Sequence, residues 1–172
     1  SIFSDPSLND LSKIENYKFI LFYLKLASMI DPSNDQVYFY QAQFFQQLEK
    51  FKQSEEIYNK INDDNALYLE AQINIAFNKK KIGLENDAEK ILLNLYKSNQ
   101  LSEYVMLSLA DFYRSIKEYK KAINFYSKII NLEKDYKDRL SRIIYIRGIC
   151  YDKMNNWNLA EKDFLFSLEL NP

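Results

Sequence analysis

Acid–base chemistry in this chain would have to come from carboxylates. Asp111 and Asp152 are the pair that the repeats described below place in the first helices of successive units. A catalytic pair needs two such groups converging on one substrate, and no cluster in the sequence brings them together. Histidine is absent, which removes Ser-His-Asp and Cys-His hydrolysis and the histidine metal sites. Cys150 is the single cysteine, so neither an intrachain disulfide nor a cysteine zinc site can form. It stands between Ile149 and Tyr151 and reads as a small packed residue rather than a reactive thiol. Gly83 and Gly148 stand alone, whereas a phosphate-cradling loop needs clustered glycines. The acidic stretches Asn62-Asp63-Asp64-Asn65 and Asp135 to Asp138 lack the spacing, central glycine and closing glutamate of a calcium hand and read as solvated turns with helix caps. Lys79-Lys80-Lys81 suits the negative end of a helix dipole without any ligand. No catalytic residue, metal ligand or cofactor is therefore assigned, and the chain is expected not to be an enzyme.

The elements that carry these residues follow from composition. Two Gly and three Pro in 172 residues leave too few turn-formers for a many-stranded β protein. An apolar content of 47% provides for a packed core. With 23 basic and 24 acidic side chains, the net charge of −1 lacks the basic excess of a groove that tracks a nucleic-acid backbone. The longest strong apolar run, Phe19 to Leu24, stops at Lys25, short of the ~20 residues a membrane span requires. Ser1-Ile2-Phe3-Ser4-Asp5-Pro6 has no basic region followed by an apolar one. The compartment stays open, since a lone cysteine suits a periplasm as well as a cytoplasm.

Small residues recur at a fixed period. Ala42, Ala76 and Ala110 are 34 residues apart, as are Ser54, Ala88 and Ala122. Gly148 and Ala160 continue both columns after four extra residues, placing an insertion near Asp135-Tyr136-Lys137-Asp138. Units then span 1–34, 35–68, 69–102, 103–140 and 141–172. Apolar residues step by three and four within each unit, the signature of amphipathic helices. The pattern predicts helices near 7–14, 17–30, 35–48, 51–61, 66–80, 84–97, 102–115, 119–132, 138–154 and 157–170. Short loops make neighbours antiparallel. Helix axes 8–10 Å apart tolerate only small side chains where they cross, which explains both columns. Large residues surround them, among them Phe45, Tyr113 and Tyr151, then Tyr58, Leu92, Tyr126 and Phe164.

This pattern resembles the tetratricopeptide repeat, a 34-residue helix-turn-helix unit with small residues at places 8 and 20, aromatics at 11 and 24 and proline at 32. Ala110, Tyr113, Ala122 and Tyr126 carry the likeness, as do Gly148, Tyr151, Ala160, Phe164 and Pro172, with Ala27 and Pro32 closing unit one. Lys79 stands where an aromatic is expected, and Leu8 and Ile20 are large for their columns. The string from Arg147 to Asp163 is also similar to multi-repeat proteins of proteobacterial cell envelopes, which tilts localisation toward the envelope or periplasm. The resemblance implies an all-α fold, a right-handed α-solenoid of about five helical pairs forming one array.

It also implies a function: a non-catalytic scaffold binding a peptide or a helix in a concave groove lined by the first helices. The groove residues carried over are Gln36, Phe39, Tyr40, Gln43, Gln46, Asn74, Phe77, Lys81, Tyr104, Ser108, Asp111, Arg114, Arg142 and Tyr145. A single-stranded nucleic-acid binder, or a regulatory segment of a larger enzyme, stays open as an alternative. The five-residue carboxylate clamp of Hsp70/Hsp90 tail binders is missing. Units two to four offer Phe39, Gln43, Asn74, Tyr104 and Ser108 in its place, and units three to five offer Ile73, Phe77, Ser108, Arg142 and Ile146. The last helix is apolar almost all round, where a solenoid end is normally polar. Either a further repeat beyond Pro172 or self-association through this C-terminal edge is expected to cover it.

Overall fold

The computed structural model describes residues 6–132 and 137–171, with side chains from residue 17 onward. Expectations at Ser1–Asp5, Asp135, Tyr136, Pro172 and the Leu8 side chain lie outside the described residues. The described residues form helices joined by turns, with no strand. In order they are α1 (Pro6–Ile30), α2 (Asp35–Gln47), α3 (Phe51–Tyr58), α4 (Tyr68–Lys81), α5 (Glu85–Ser98), α6 (Glu103–Ser115), α7 (Tyr119–Leu132), α8 (Lys137–Lys153) and α9 (Trp157–Leu170). Two compact units divide the chain, Ser1–Gly83 and Leu84–Pro172.

The first unit holds α1 to α4. The sequence places a break near residues 15–16, but α1 runs unbroken for 25 residues. No glycine or proline interrupts it between Pro6, which opens it, and Pro32. Asp31 precedes that proline and leaves the helical region; its Oδ1 accepts from the Ser33 amide at 3.1 Å and the Ser33 hydroxyl at 2.7 Å. Helix α1 meets α2 through Tyr17 and Phe44, edge-on at 5.6 Å. Gln41 Nε2 adds bonds to the Leu24 carbonyl at 2.6 Å and Ser28 Oγ at 3.2 Å. Helix α2 is capped by Asn34, whose side chain accepts from the Val37 amide. Buried Asp35 accepts from Asn62 Nδ2 at 3.1 and 3.2 Å, so the segment after α3 is tied to the start of α2. That segment is longer than the periodicity suggests, because Ile61 turns inward and the Asn65 side chain accepts from the Leu67 amide at 2.9 Å. Helix α4 lies on α3 through Asn78 Nδ2, which donates to Ser54 Oγ at 2.9 Å, and through Lys79–Glu55 at 2.8 Å. Lys79 thus fills an aromatic place by pairing with a carboxylate.

In the second unit each of α5 to α9 packs on its sequence neighbour. The Ser102 hydroxyl caps α6. Tyr113 and Phe125 stack 5.9 Å apart, and Tyr96 meets Phe125 edge-on at 5.3 Å, joining α5, α6 and α7. Helix α8 is 17 residues long against 13 for α6, so part of the expected insertion, Lys137 and Asp138, is an extra turn at its start. Arg147 on α8 forks onto Asp163 of α9, with Nε–Oδ2 at 2.8 Å and Nη2–Oδ1 at 2.7 Å, and also donates to Ser127 Oγ of α7 at 3.0 Å. Ser141 Oγ donates to the Ser167 carbonyl at 3.0 Å and Ser167 Oγ returns a bond to the Ser141 carbonyl at 3.0 Å.

All the small positions, Ala42, Ala76, Ala110, Gly148, Ser54, Ala88, Ala122 and Ala160, are buried. At Gly148 the reason is visible. A Cβ there would sit 2.8 Å from Phe164 Cε1 and 3.1 Å from Asp163 Cβ, so α8 and α9 approach more closely than alanine allows. The turn between paired helices repeats as well. Backbone φ is positive at Glu49, Gly83, Lys117 and Asn155, spaced 34, 34 and 38 residues apart. At Lys117 the amide returns to the Arg114 carbonyl and that of Glu118 to the Tyr113 carbonyl, and the other non-glycine turns match it.

Candidate protein-binding surfaces

In the first unit the candidate residues lie on α2 and α4. Gln36, Tyr40 and Lys81 are exposed, with Gln36 Nε2 donating to the Tyr40 hydroxyl at 3.3 Å. Gln43, Asn74 and Phe77 are half-buried, and Asn74 Nδ2 donates to the Glu70 carbonyl at 3.0 Å. Gln46 is half-buried and accepts from the Tyr58 hydroxyl at 3.2 Å. Phe39 differs from the expectation. It is 5% exposed and meets Tyr58 edge-on at 5.5 Å, because place 5 of this unit turns toward α3 rather than outward. It is a core ring, and Tyr40 beside it is 51% exposed.

In the second unit the candidates lie on α6 and α8. Tyr104, Arg142 and Tyr145 are exposed, and Tyr145 leans on Phe164 at 5.4 Å. Ser108 also departs from the expectation. It is buried and donates to the Tyr104 carbonyl at 2.8 Å, satisfying its hydroxyl within its own helix. Asp111 and Arg114 are half-buried and form one cluster with Tyr126. The Tyr126 hydroxyl donates to Asp111 Oδ1 at 2.6 Å, Arg114 Nε donates to the Tyr126 oxygen at 3.1 Å, and Arg114 Nη2 reaches Asp111 at 3.1 Å. Burial, then the bond to Asp111, raises the Tyr126 phenol above its ordinary value of 10, so it stays a neutral donor. Nearby, Glu89 accepts from the Tyr113 hydroxyl at 2.8 Å and Lys121 at 3.1 Å, which holds its carboxyl below the usual range despite partial burial. Burial pushes the Cys150 thiol up to about 11, the unreactive form expected of it.

Sequence reasoning passed over the link between places 12 and 24. Tyr58 bonds Gln46 and Tyr126 bonds Arg114, each pair 12 residues apart. A tyrosine rather than a phenylalanine at place 24 was the available signal. Phe164 and Leu92 hold that place in their own units and have no hydroxyl to offer. Among the described residues no helix is long and apolar enough to cross a membrane, and no cluster of three potential metal ligands occurs.

No family model matches the chain. No curated protein matches it either. Solved structures do. A crystal structure of MamA is 19% identical, with a TM-score of 0.68 over 98% of this chain and 95% of that one. BtubC (BKLC) from P. vanneervenii is 15% identical, with a TM-score of 0.74 over 92% of this chain and 74% of that one. YrrB, described as a TPR protein with an unusual peptide-binding site, is 14% identical, with a TM-score of 0.63 over 95% of this chain and 82% of that one. The fold is that of the tetratricopeptide-repeat solenoids. At these identities the likeness establishes architecture, and it agrees with the 34-residue spacing of the turns.

Proposed function

We propose that the protein is a non-catalytic interaction scaffold whose first helices bind an extended peptide or a helix of a partner protein. The observation that carries this is the display of exposed tyrosines, Tyr40 on α2, Tyr104 on α6 and Tyr145 on α8, 51, 44 and 51% exposed. Amide or charged groups accompany them on the same helices, namely Gln36 and Gln43, Asp111 and Arg114, and Arg142. Tyrosine offers a large contact area with few rotors to freeze, and amides satisfy a peptide's main-chain groups. Within the first unit, Asn74, Phe77 and Lys81 on α4 are candidates beside those of α2. Asp111 and Arg114 contribute to register and specificity as a pre-organised pair rather than as free charges. Phe39, Gln46 and Ser108 act through the fold, since their side chains are spent inside it. The named peptide-binding site of YrrB is consistent with such a use of the architecture. The exposed Leu165, Phe166 and Leu168 on α9 leave that edge open to a further helix.

The test is capture of partners with the full-length protein, followed by calorimetry of the purified pair. Tyr40→Ala and Tyr104→Ala should each weaken binding by about 2 kcal/mol, roughly thirtyfold, if they are anchors. Their melting temperatures should stay close to the parent's. Undiminished binding by a folded double variant would move the site off the first helices.

A further inference from the structure

Among its described side chains, helix α1 has two apolar faces, and α2 packs on one of them. Tyr17, Leu24 and Ser28 meet α2, and residues 21, 24, 27 and 28 are half-buried on that side. At about 100° per residue, Phe19, Phe22, Tyr23, Leu26, Met29 and Ile30 fall on the opposite side. All six are exposed, between 41 and 77%. In the repeat pattern residues 17–30 hold a second-helix place, where residues 7–14 would fold back as a first helix and cover this side. Because α1 is a single rod, that segment continues straight on and the cover is missing.

We infer that this face pairs with the same face of a second copy of the chain, α1 against α1 about a two-fold axis. Area supports that occupant. An aromatic side chain carries about 150–250 Å², so three rings 60 to 63% exposed leave about 300–450 Å² open. Leu26, Met29 and Ile30 contribute a comparable amount. Two such faces bury on the order of 1,200 Å², the lower end of a stable interface. The spacing supports it too. Phe19 and Leu26, then Phe22 and Met29, take the core places of two heptads, with Tyr23 and Ile30 on one flank and Lys18 and Lys25 on the other. A parallel pair sets each lysine beside the tyrosine or isoleucine of the second copy, where a lysine over a tyrosine ring is favourable. An antiparallel pair would oppose lysine with lysine, so the parallel arrangement is the one formed. The α9 edge serves less well, because Lys162 and Glu169 divide its exposed apolar residues into two strips.

Sedimentation equilibrium of the 172-residue protein between about 5 and 500 µM should show a monomer–dimer equilibrium. Phe22→Glu and Met29→Glu should each shift it at least tenfold toward monomer with unchanged helical circular dichroism, while Leu168→Glu leaves it unmoved. Phe22→Cys should oxidise to a disulfide-linked dimer, and the parent, whose Cys150 is buried, should not. Monomer throughout the range overturns the inference, as does a dimer indifferent to both α1 variants or one dissolved by Leu168→Glu instead. A monomer that co-sediments with phosphatidylcholine–phosphatidylserine vesicles overturns it in favour of a membrane surface.

Discussion

Truncating Phe39 to alanine removes a ring that is 5% exposed and edge-on to Tyr58, so it should cost about 3–5 kcal/mol of stability. Tyr40→Ala, one residue along, removes a half-exposed ring and should cost under about 1 kcal/mol. Chemical denaturation of the two variants side by side checks this, and equal losses would contradict the placement of both rings. The same scale governs Cys150. Burial raises its thiol to about 11, so a thiol reagent at pH 8 should label the native protein at the rate of unfolding and label the denatured chain at once. Labelling as fast as a free thiol would show that the α8 cysteine is accessible.

At the scale of elements, the turn inside each helical pair is the repeated unit. Four left-handed residues perform the same role, but only Gly83 is free of the Cβ penalty. No atom would touch a Cβ at Gly83, so Gly83→Ala should cost only the backbone strain, about 1–2 kcal/mol. Lys117→Gly should stabilise by about 0.5 kcal/mol, strain relieved less the added freedom of the unfolded chain. Urea midpoints moving in opposite directions at constant m-value confirm it; two shifts of one sign would refute it. Crossings between helices are stricter than turns. Ala110 is fully buried, and Ala110→Leu should overpack its crossing by about 1–3 kcal/mol.

For the whole molecule, pH dependence follows from an absence and four shifts. Without histidine, no side chain of ordinary pKa titrates between pH 6 and 8, and stability should be flat there. Glu89 has a folded pKa below its ordinary value of 4.5, so its contribution is complete above that value and is lost as pH falls through the folded one. Cys150, Tyr113 and Tyr126 are raised, so their contributions are complete below their unfolded values of 9.0 and 10.0 and are lost as pH rises through the folded ones. Thermal melts from pH 3 to 11 should show a plateau with two falling limbs. Glu89→Gln should flatten the acid limb and also alter the alkaline one, because the Glu89 carboxylate helps to hold the Tyr113 phenol up; an unchanged acid limb would show that Glu89 does not contribute.

The period of 34 residues, the helical pairs and the small crossing positions were legible because each is a local rule repeated. A buried Ala110 or Gly148 is a demand on volume, and volume is written in the residue type. Which side of a helix stays open is a different matter. Phe39 and Tyr40 are equally aromatic in the sequence, and only the packing of Tyr58 from α3 on Phe39 shows which of the two is inward. Asp111 and Arg114 read as free charges until Tyr126, from the next helix, tied them together. The sequence reading breaks α1 at Glu15-Asn16, where no glycine or proline requires a break, and the helix runs through it. Only the tertiary structure decided that α2 covers the Tyr17, Leu24 and Ser28 side of α1 and leaves Phe19, Phe22 and Tyr23 exposed, because a helix registers its own periodicity but not what comes to cover it.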